Sequence, residues 1–238
     1  MSEFEDRFNE ICYTKEASAV FTDFLNYSID QFLVNPGKQY FPYDKYTVEE
    51  KMMFNSLFEA YILTMNEKLQ SHDYYDFLGE FYEDIIISKY KAGSRGQFFT
   101  PVTVTRLMAE LTYHNQRLTD DPCTCYDCAC GSGRTLLAWH KLRPQDICVG
   151  WDLDEQAAKM CVLNFIVHGI RGSVVWCNSL SYEFFDAWKV HEFPFTVMSV
   201  DSFGESECFI GVDLDSGRSE SVDLTSDECR VDRQTTLI

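Results

Sequence analysis

Cys125-Tyr126-Asp127-Cys128-Ala129-Cys130-Gly131-Ser132-Gly133-Arg134-Thr135-Leu136 reads as a short strand running into a glycine turn and then into a helix. Gly131 and Gly133 let the backbone turn without a Cβ in the way, so amide groups and the following helix N-terminus can approach a ligand closely. About twenty residues on, the apolar run Ile147-Cys148-Val149 leads through Gly150-Trp151 to an acid, Asp152. An acid at the tip of the second strand of a βαβ unit is placed to accept hydrogen bonds from a ribose diol. A lone glycine loop often only closes a strand onto a helix. The loop together with the spaced acid points to a nucleotide-type cofactor.

Outward from that unit the period alternates. Strand Tyr126 to Ala129, helix Thr135 to Leu142, strand Ile147 to Trp151, helix Asp154 to His168 and strand Ser173 to Trp176 imply a parallel sheet covered on both faces. A helix over Ser181 to Val190 and a strand over Phe195 to Val200 are expected next, the latter ending at Asp201-Ser202-Phe203-Gly204. Cys208 to Arg218 has the pattern of a hairpin with a glycine turn. Upstream, Ser2 to about Tyr90 is helical in pattern. Phe21, Phe24, Leu25, Ile29, Phe32 and Leu33 form one stripe that stops at the turn signal Asn35-Pro36-Gly37. Thr47 and Glu50 have capping-box spacing at the start of a second helix, and Tyr74 to Tyr90 makes a third. These aromatic stripes are read as core packing. Lys91 to Gly96 is a basic hinge, after which Thr100 is placed to cap a helix whose first residue is Pro101. The domain reading is a helical segment over 1–90, a cofactor domain over 91–204 and an acidic hairpin or tail over 205–238.

At 238 residues, 45% hydrophobic and 15% aromatic, the chain can bury a substantial core. No apolar run is long enough to span a membrane and the first residues are acidic, unlike a signal peptide, so a cytoplasmic location is expected. Ten cysteines in that setting are expected as reduced thiols. Cys123, Cys125, Cys128 and Cys130 alternate along a strand, whereas structural zinc sites pair knuckles from separated loops, so no metal is expected. The scattered histidines are given no role. The net charge of −18 divides into −10 over residues 1–90, −1 over 91–200 and −7 over 201–238. Proteins grip a phosphate backbone with Lys and Arg, so both ends would repel DNA and only the middle, within 91–204, could face it.

These residues together resemble the N6-adenine DNA methylases that form the modification subunits of type I restriction systems. Asp76-Phe77-Leu78-Gly79 with Tyr82-Glu83 resembles that family's last helix before its cofactor domain, and Gly96-Gln97-Phe98-Phe99-Thr100-Pro101 its first S-adenosylmethionine motif. Asp127 to Gly133 is similar to the family's D-P-A-C-G-S-G loop, with Cys128 where proline is usual. Asn164 to Ile170 and Cys177-Asn178-Ser179-Leu180 resemble the segments that follow. The resemblance implies an α/β fold: a helical N-terminal domain followed by a partial, Rossmann-like S-adenosylmethionine-dependent methyltransferase domain with a parallel sheet. It implies S-adenosylmethionine as cofactor, with Phe99, Thr100 and Pro101 at the methionine end, Asp127, Ala129, Gly131 and Gly133 in the loop, Asp152 on the ribose and Asn178 on the adenine.

The chain departs from the family at the fourth strand, which in the family ends in (N/D)-P-P-(Y/F) and holds a flipped adenine. Here the strand ends Val200-Asp201-Ser202-Phe203, without a Pro-Pro, so only Asp201 and Phe203 stand as catalytic candidates. The 35 residues after Phe203 are fewer than three further strands with their helices need, so an incomplete catalytic half is expected. The expectation is a cofactor-binding relative, impaired in catalysis and acting through a protein partner or a second copy. The alternative is an active adenine-N6 methyltransferase using the shortened motif at Asp201 and Phe203.

Overall fold

The computed structural model describes residues 2–35, 37–84, 99–115, 121–191, 196–200 and a strand at 235–237. The chain starts with helices α1 (Glu3–Cys12), α2 (Ala17–Asp30), α3 (Val48–Leu69) and the short α4 (Phe77–Phe81). Capping boxes open both α1, through Ser2 and Glu5, and α3, through the expected Thr47 and Glu50. Each satisfies amides that the first helical turn cannot. Phe4 of α1 meets Phe24, Phe77 and Phe81 edge-on at 5.0–5.2 Å between centroids, tying three helices at one point. The expected third helix starts later than its pattern suggests, because Asp76 caps α4 by accepting from the Gly79 amide. The hinge at Lys91 to Gly96 lies outside the described residues.

The second half runs α5 (Val102–Asn115), β1 (Thr124–Asp127), α6 (Arg134–Leu142), β2 (Ile147–Asp152), α7 (Glu155–His168), β3 (Gly172–Asn178), β4 (Glu183–His191), β5 (Thr196–Ser199) and β6 (Thr235–Leu237). The strands form one sheet in the order β5-β4-β3-β2-β1-β6. The register pairs Tyr126 with Val149 and Asp127 with Gly150 across β1 and β2. α7 packs on the sheet and carries α2 on its other side; Gln156 and Lys159 of α7 reach Ser18 and Asn26 of α2. The apolar core is therefore continuous from Phe4 to Val197.

Two expectations are corrected. The stretch Ser181 to Val190 is not a helix; Glu183–His191 is strand β4, and its aromatic and β-branched side chains pack on both faces of the sheet. The sheet is accordingly mixed, because β4 runs antiparallel to both β3 and β5. Only Ser179 to Tyr182 join β3 to β4, and four residues cannot make the dozen-residue crossover that a parallel partner needs. Tyr182 takes φ +58° to close that turn. Asp201, Phe203 and the expected hairpin at 208–218 lie outside the described residues.

Candidate functional site

β1 and β2 end side by side in Asp127 and Asp152, and the glycine turn passes over their tips. The turn is held from below. Asp127 accepts from the Ala129 amide at 3.1 Å, Asp152 from the Gly131 amide at 2.7 Å and from the Asp154 amide at 2.8 Å. The Cys130 amide donates to the Trp151 carbonyl at 2.9 Å. Gly131 has φ +56°, and a Cβ there would sit 2.8 Å from the Phe99 ring, so a side chain is excluded both by backbone and by space. The result is a cleft lined by Phe99, Thr100, Ala129, Cys130, Gly131, Ser132, Arg134, Thr135, Asp152 and Ala157.

Of the residues expected from sequence, Phe99, Thr100, Ala129, Gly131 and Asp152 come together on this cleft. Asp127 lies beneath it, and Gly133 turns the chain into α6 with φ +91°. Pro101 is exposed and its carbonyl receives the first bonds of α5, which begins one residue later than expected. Asn178 spends its carboxamide oxygen on the Leu180 and Ser181 amides, at 3.0 and 3.2 Å, shaping the β3–β4 turn. Cys130, Ser132, Arg134, Thr135 and Ala157 were not expected on the cleft. Arg134 directly follows the Gly-Ser-Gly, and its two carboxylate partners sit in the Asp76 to Glu83 stretch that the sequence already singled out.

The electrostatics are acidic. Burial pushes Asp127 up from 3.8 to about 6, against the bonds from Ala129 and Thr135, and the neighbouring Asp152 adds to the rise. Burial also raises Asp152. Arg134 ends above its ordinary value: burial works against its charge, and Asp76 and Glu83 outweigh that. The cysteines beneath the loop are paired thiols. Cys130 is pushed well up by its hydrogen bond to Cys161 and by burial; Cys125 is raised by burial and by Cys148. Such thiols stay protonated, so they fill space rather than attack or bind metal. Among the described residues no three metal-ligating side chains come together.

The strand leading to Asp201 is remote from this cleft. β5 is the edge strand, separated from β1 by β4, β3 and β2, or roughly 19 Å at about 4.8 Å per strand spacing. The neighbour of β1 on its open side is β6, which pairs Leu237 with Tyr126 in parallel.

Residues 73–206 match the family model described as N-6 DNA Methylase, which is over half of the chain. The methylase subunit of the type I restriction enzyme MjaVIII of Methanocaldococcus jannaschii is 34% identical over 103 residues, covering 41% of this chain and 17% of the relative. That of MpnII from Mycoplasma pneumoniae is 34% identical over 103 residues, covering 40% and 18%. The matched stretch thus spans less than a fifth of either relative. The solved structure of a candidate class I S-adenosylmethionine-dependent methyltransferase from Listeria monocytogenes aligns with a TM-score of 0.42 and 14% identity, over 72% of this chain and 52% of that one. The cleft suits that cofactor. Gly131 lets the Phe99 ring pack directly on the loop backbone, and an acid on the cleft, Asp152, with a second beneath it, Asp127, suits a ligand that is cationic at its sulfonium end better than a dinucleotide pyrophosphate. The chain belongs to the N-6 DNA methylase family, and its cofactor is S-adenosylmethionine.

Proposed function

We propose that this chain binds S-adenosylmethionine in the cleft over β1 and β2, is impaired in methyl transfer by itself, and acts through a protein partner or a second copy of itself in the cytoplasm. One observation supports the reading: Phe99, Thr100, Ala129, Gly131 and Asp152 share one cleft, while β5, the strand that precedes Asp201 in the chain, is at the other edge of the sheet from β1. Methyl transfer to an exocyclic amine needs the amine held in line with the donor, and such positioning supplies about 7–11 kcal/mol of a barrier. β5 itself lies four positions from β1 in the sheet and brings none of its described residues to the cleft. Both relatives carry the name of methylase subunits, which supports assembly with other chains. DNA contact, where it occurs, falls to the near-neutral residues 91–200, since the flanking segments are strongly acidic.

In this reading Asp152 meets the ribose, Phe99 and Thr100 the methionine end, and Asn178 the adenine side. Asp152→Ala removes the acceptor for the ribose hydroxyls and also frees the Gly131 amide. Titration calorimetry should show binding weakened by about 1.5–3 kcal/mol per charged hydrogen bond lost. Equal affinity in the variant and the wild type would remove Asp152 from the site.

The purified chain should place no measurable tritiated methyl on adenine-containing DNA, even at low salt. The active-enzyme reading, with Asp201 and Phe203 as a reduced motif, predicts the opposite. Incorporation that vanishes in Asp201→Ala would overturn the impaired reading and establish that motif.

A further inference from the structure

Arg134 and Ser132 both line the cleft and both turn their side chains to the helical segment, Arg134 with two bonds. Arg134 Nε donates to Asp76 at 2.6 Å and its Nη2 to Glu83 at 2.8 Å, and its guanidinium lies 5.3 Å from the centre of the Phe99 ring. Glu83 uses its second oxygen to accept from the Phe99 amide at 2.9 Å. Asp76 is buried and also accepts from Ser132 Oγ at 2.5 Å and Asn164 Nδ2 at 2.7 Å; Asn164 in turn donates to the Ser132 carbonyl at 2.9 Å. A Cβ on Gly79 would lie 1.9 Å from the Asp76 carboxylate, so the glycine is what lets this acid fold over its own helix and face the loop.

No residue of 76–83 lines the cleft, yet two carboxylates from it fix both walls: Phe99 through Glu83 and Arg134, Ser132 through Asp76. A buried ion pair usually stabilises a fold no better than apolar side chains of the same volume. The charge is better accounted for by what it orients. We propose that Asp76 and Glu83 are positioning residues for the cofactor: acting through Arg134 they set Phe99 and the glycine loop, so that cofactor binding is coupled to the seating of residues 76–83. This rests on S-adenosylmethionine occupying the cleft and adds the residues that prepare it.

The test uses the full chain, S-adenosylmethionine, calorimetry and amide hydrogen exchange. In the wild type, the cofactor should slow exchange in α4 as well as in the loop 129–132, although α4 does not touch the cleft. Glu83→Gln keeps an acceptor for the Phe99 amide but loses the charge that faces Arg134. It should weaken cofactor binding about fivefold or more, in the usual range for coupled sites, and abolish the protection of α4 with little change in melting temperature. Arg134→Lys retains the charge but cannot bridge two carboxylates and lie on a ring. It should produce the same losses, and the double variant should be no worse than either single one. Unchanged affinity in Glu83→Gln, additive losses, or protection confined to 129–132 would each overturn the coupling while leaving the cleft assignment standing. A wild-type chain that fails to bind S-adenosylmethionine would overturn the cleft assignment itself, and the positioning role with it.

Discussion

Replacing Asp146 with alanine should lower the unfolding free energy by about 3–5 kcal/mol, the cost of removing the carboxylate from a buried ion pair. Asp146 is buried at the foot of the sheet, just before β2. Its carboxylate accepts from the Cys123 amide at 3.0 Å, from Cys123 Sγ at 2.9 Å, from Trp139 Nε1 at 3.0 Å, and from Arg143 Nε and Nη2 at 3.1 and 3.2 Å. One side chain thus ties the start of β1, the end of α6 and the start of β2. Alanine leaves the Arg143 guanidinium, itself buried, with the Asp121 carbonyl at 2.8 Å but no carboxylate, and takes the acceptor from an indole N–H and a backbone amide. Against a total stability of about 5–15 kcal/mol for a typical domain, such a loss should be plain in urea denaturation at neutral pH. Asp146→Leu combined with Arg143→Met should recover much of it, since no charge is then left alone. A loss under about 1 kcal/mol in the alanine variant would show that the cluster relaxes to water and is not the clamp described.

Asp127→Asn should have the opposite sign for stability and weaken cofactor binding. Burial holds the folded-state value at about 6 rather than 3.8. Folding therefore favours the protonated acid: its contribution is fully present below about pH 4 and is lost as pH rises through 6. A displacement of that size is worth about 3 kcal/mol. At pH 7.5 the asparagine variant should be more stable than the wild type by up to that amount, because it keeps an oxygen for the Ala129 amide without ionising. Near pH 4 the two should melt together. Cofactor affinity should move the other way. A cationic ligand favours the carboxylate, so wild-type binding should strengthen as pH rises through 6 and then level off, while the variant binds more weakly with no such rise. Thermal melts at the two pH values, with calorimetry between pH 5 and 8, decide it. The same stability difference at both pH values would mean that Asp127 does not carry the proton. A gain in stability set against a loss of binding is the expected signature of a group held in a costly state for function.

The sequence by itself determined what is local in origin. The capping pair Thr47 and Glu50, the apolar stripes of α2 and α3, and the strand–glycine turn–helix of Asp127 to Leu142 each follow from spacing within a few residues. The acid at Asp152 follows as well, because a βαβ unit fixes where its second strand ends. Tertiary structure decided the rest. The run from Glu183 to His191 has enough apolar residues for a helix; it is a strand because its side chains pack on both faces of the sheet, and the four-residue link after Asn178 makes it the antiparallel rather than a parallel neighbour of β3. The order of strands, which puts β5 at the edge and β6 beside β1, depends on pairings between residues about 110 positions apart, and no period in the sequence encodes them. Arg134 is likewise more than fifty residues from Asp76 and Glu83, and nothing in the sequence, which singled out the stretch from Asp76 to Glu83, shows that this stretch pairs with Arg134. The three form one network, buried at Asp76 and Arg134 and half-buried at Glu83, only because residues 76–83 dock against the glycine loop, and that packing is what lets the charges place Phe99.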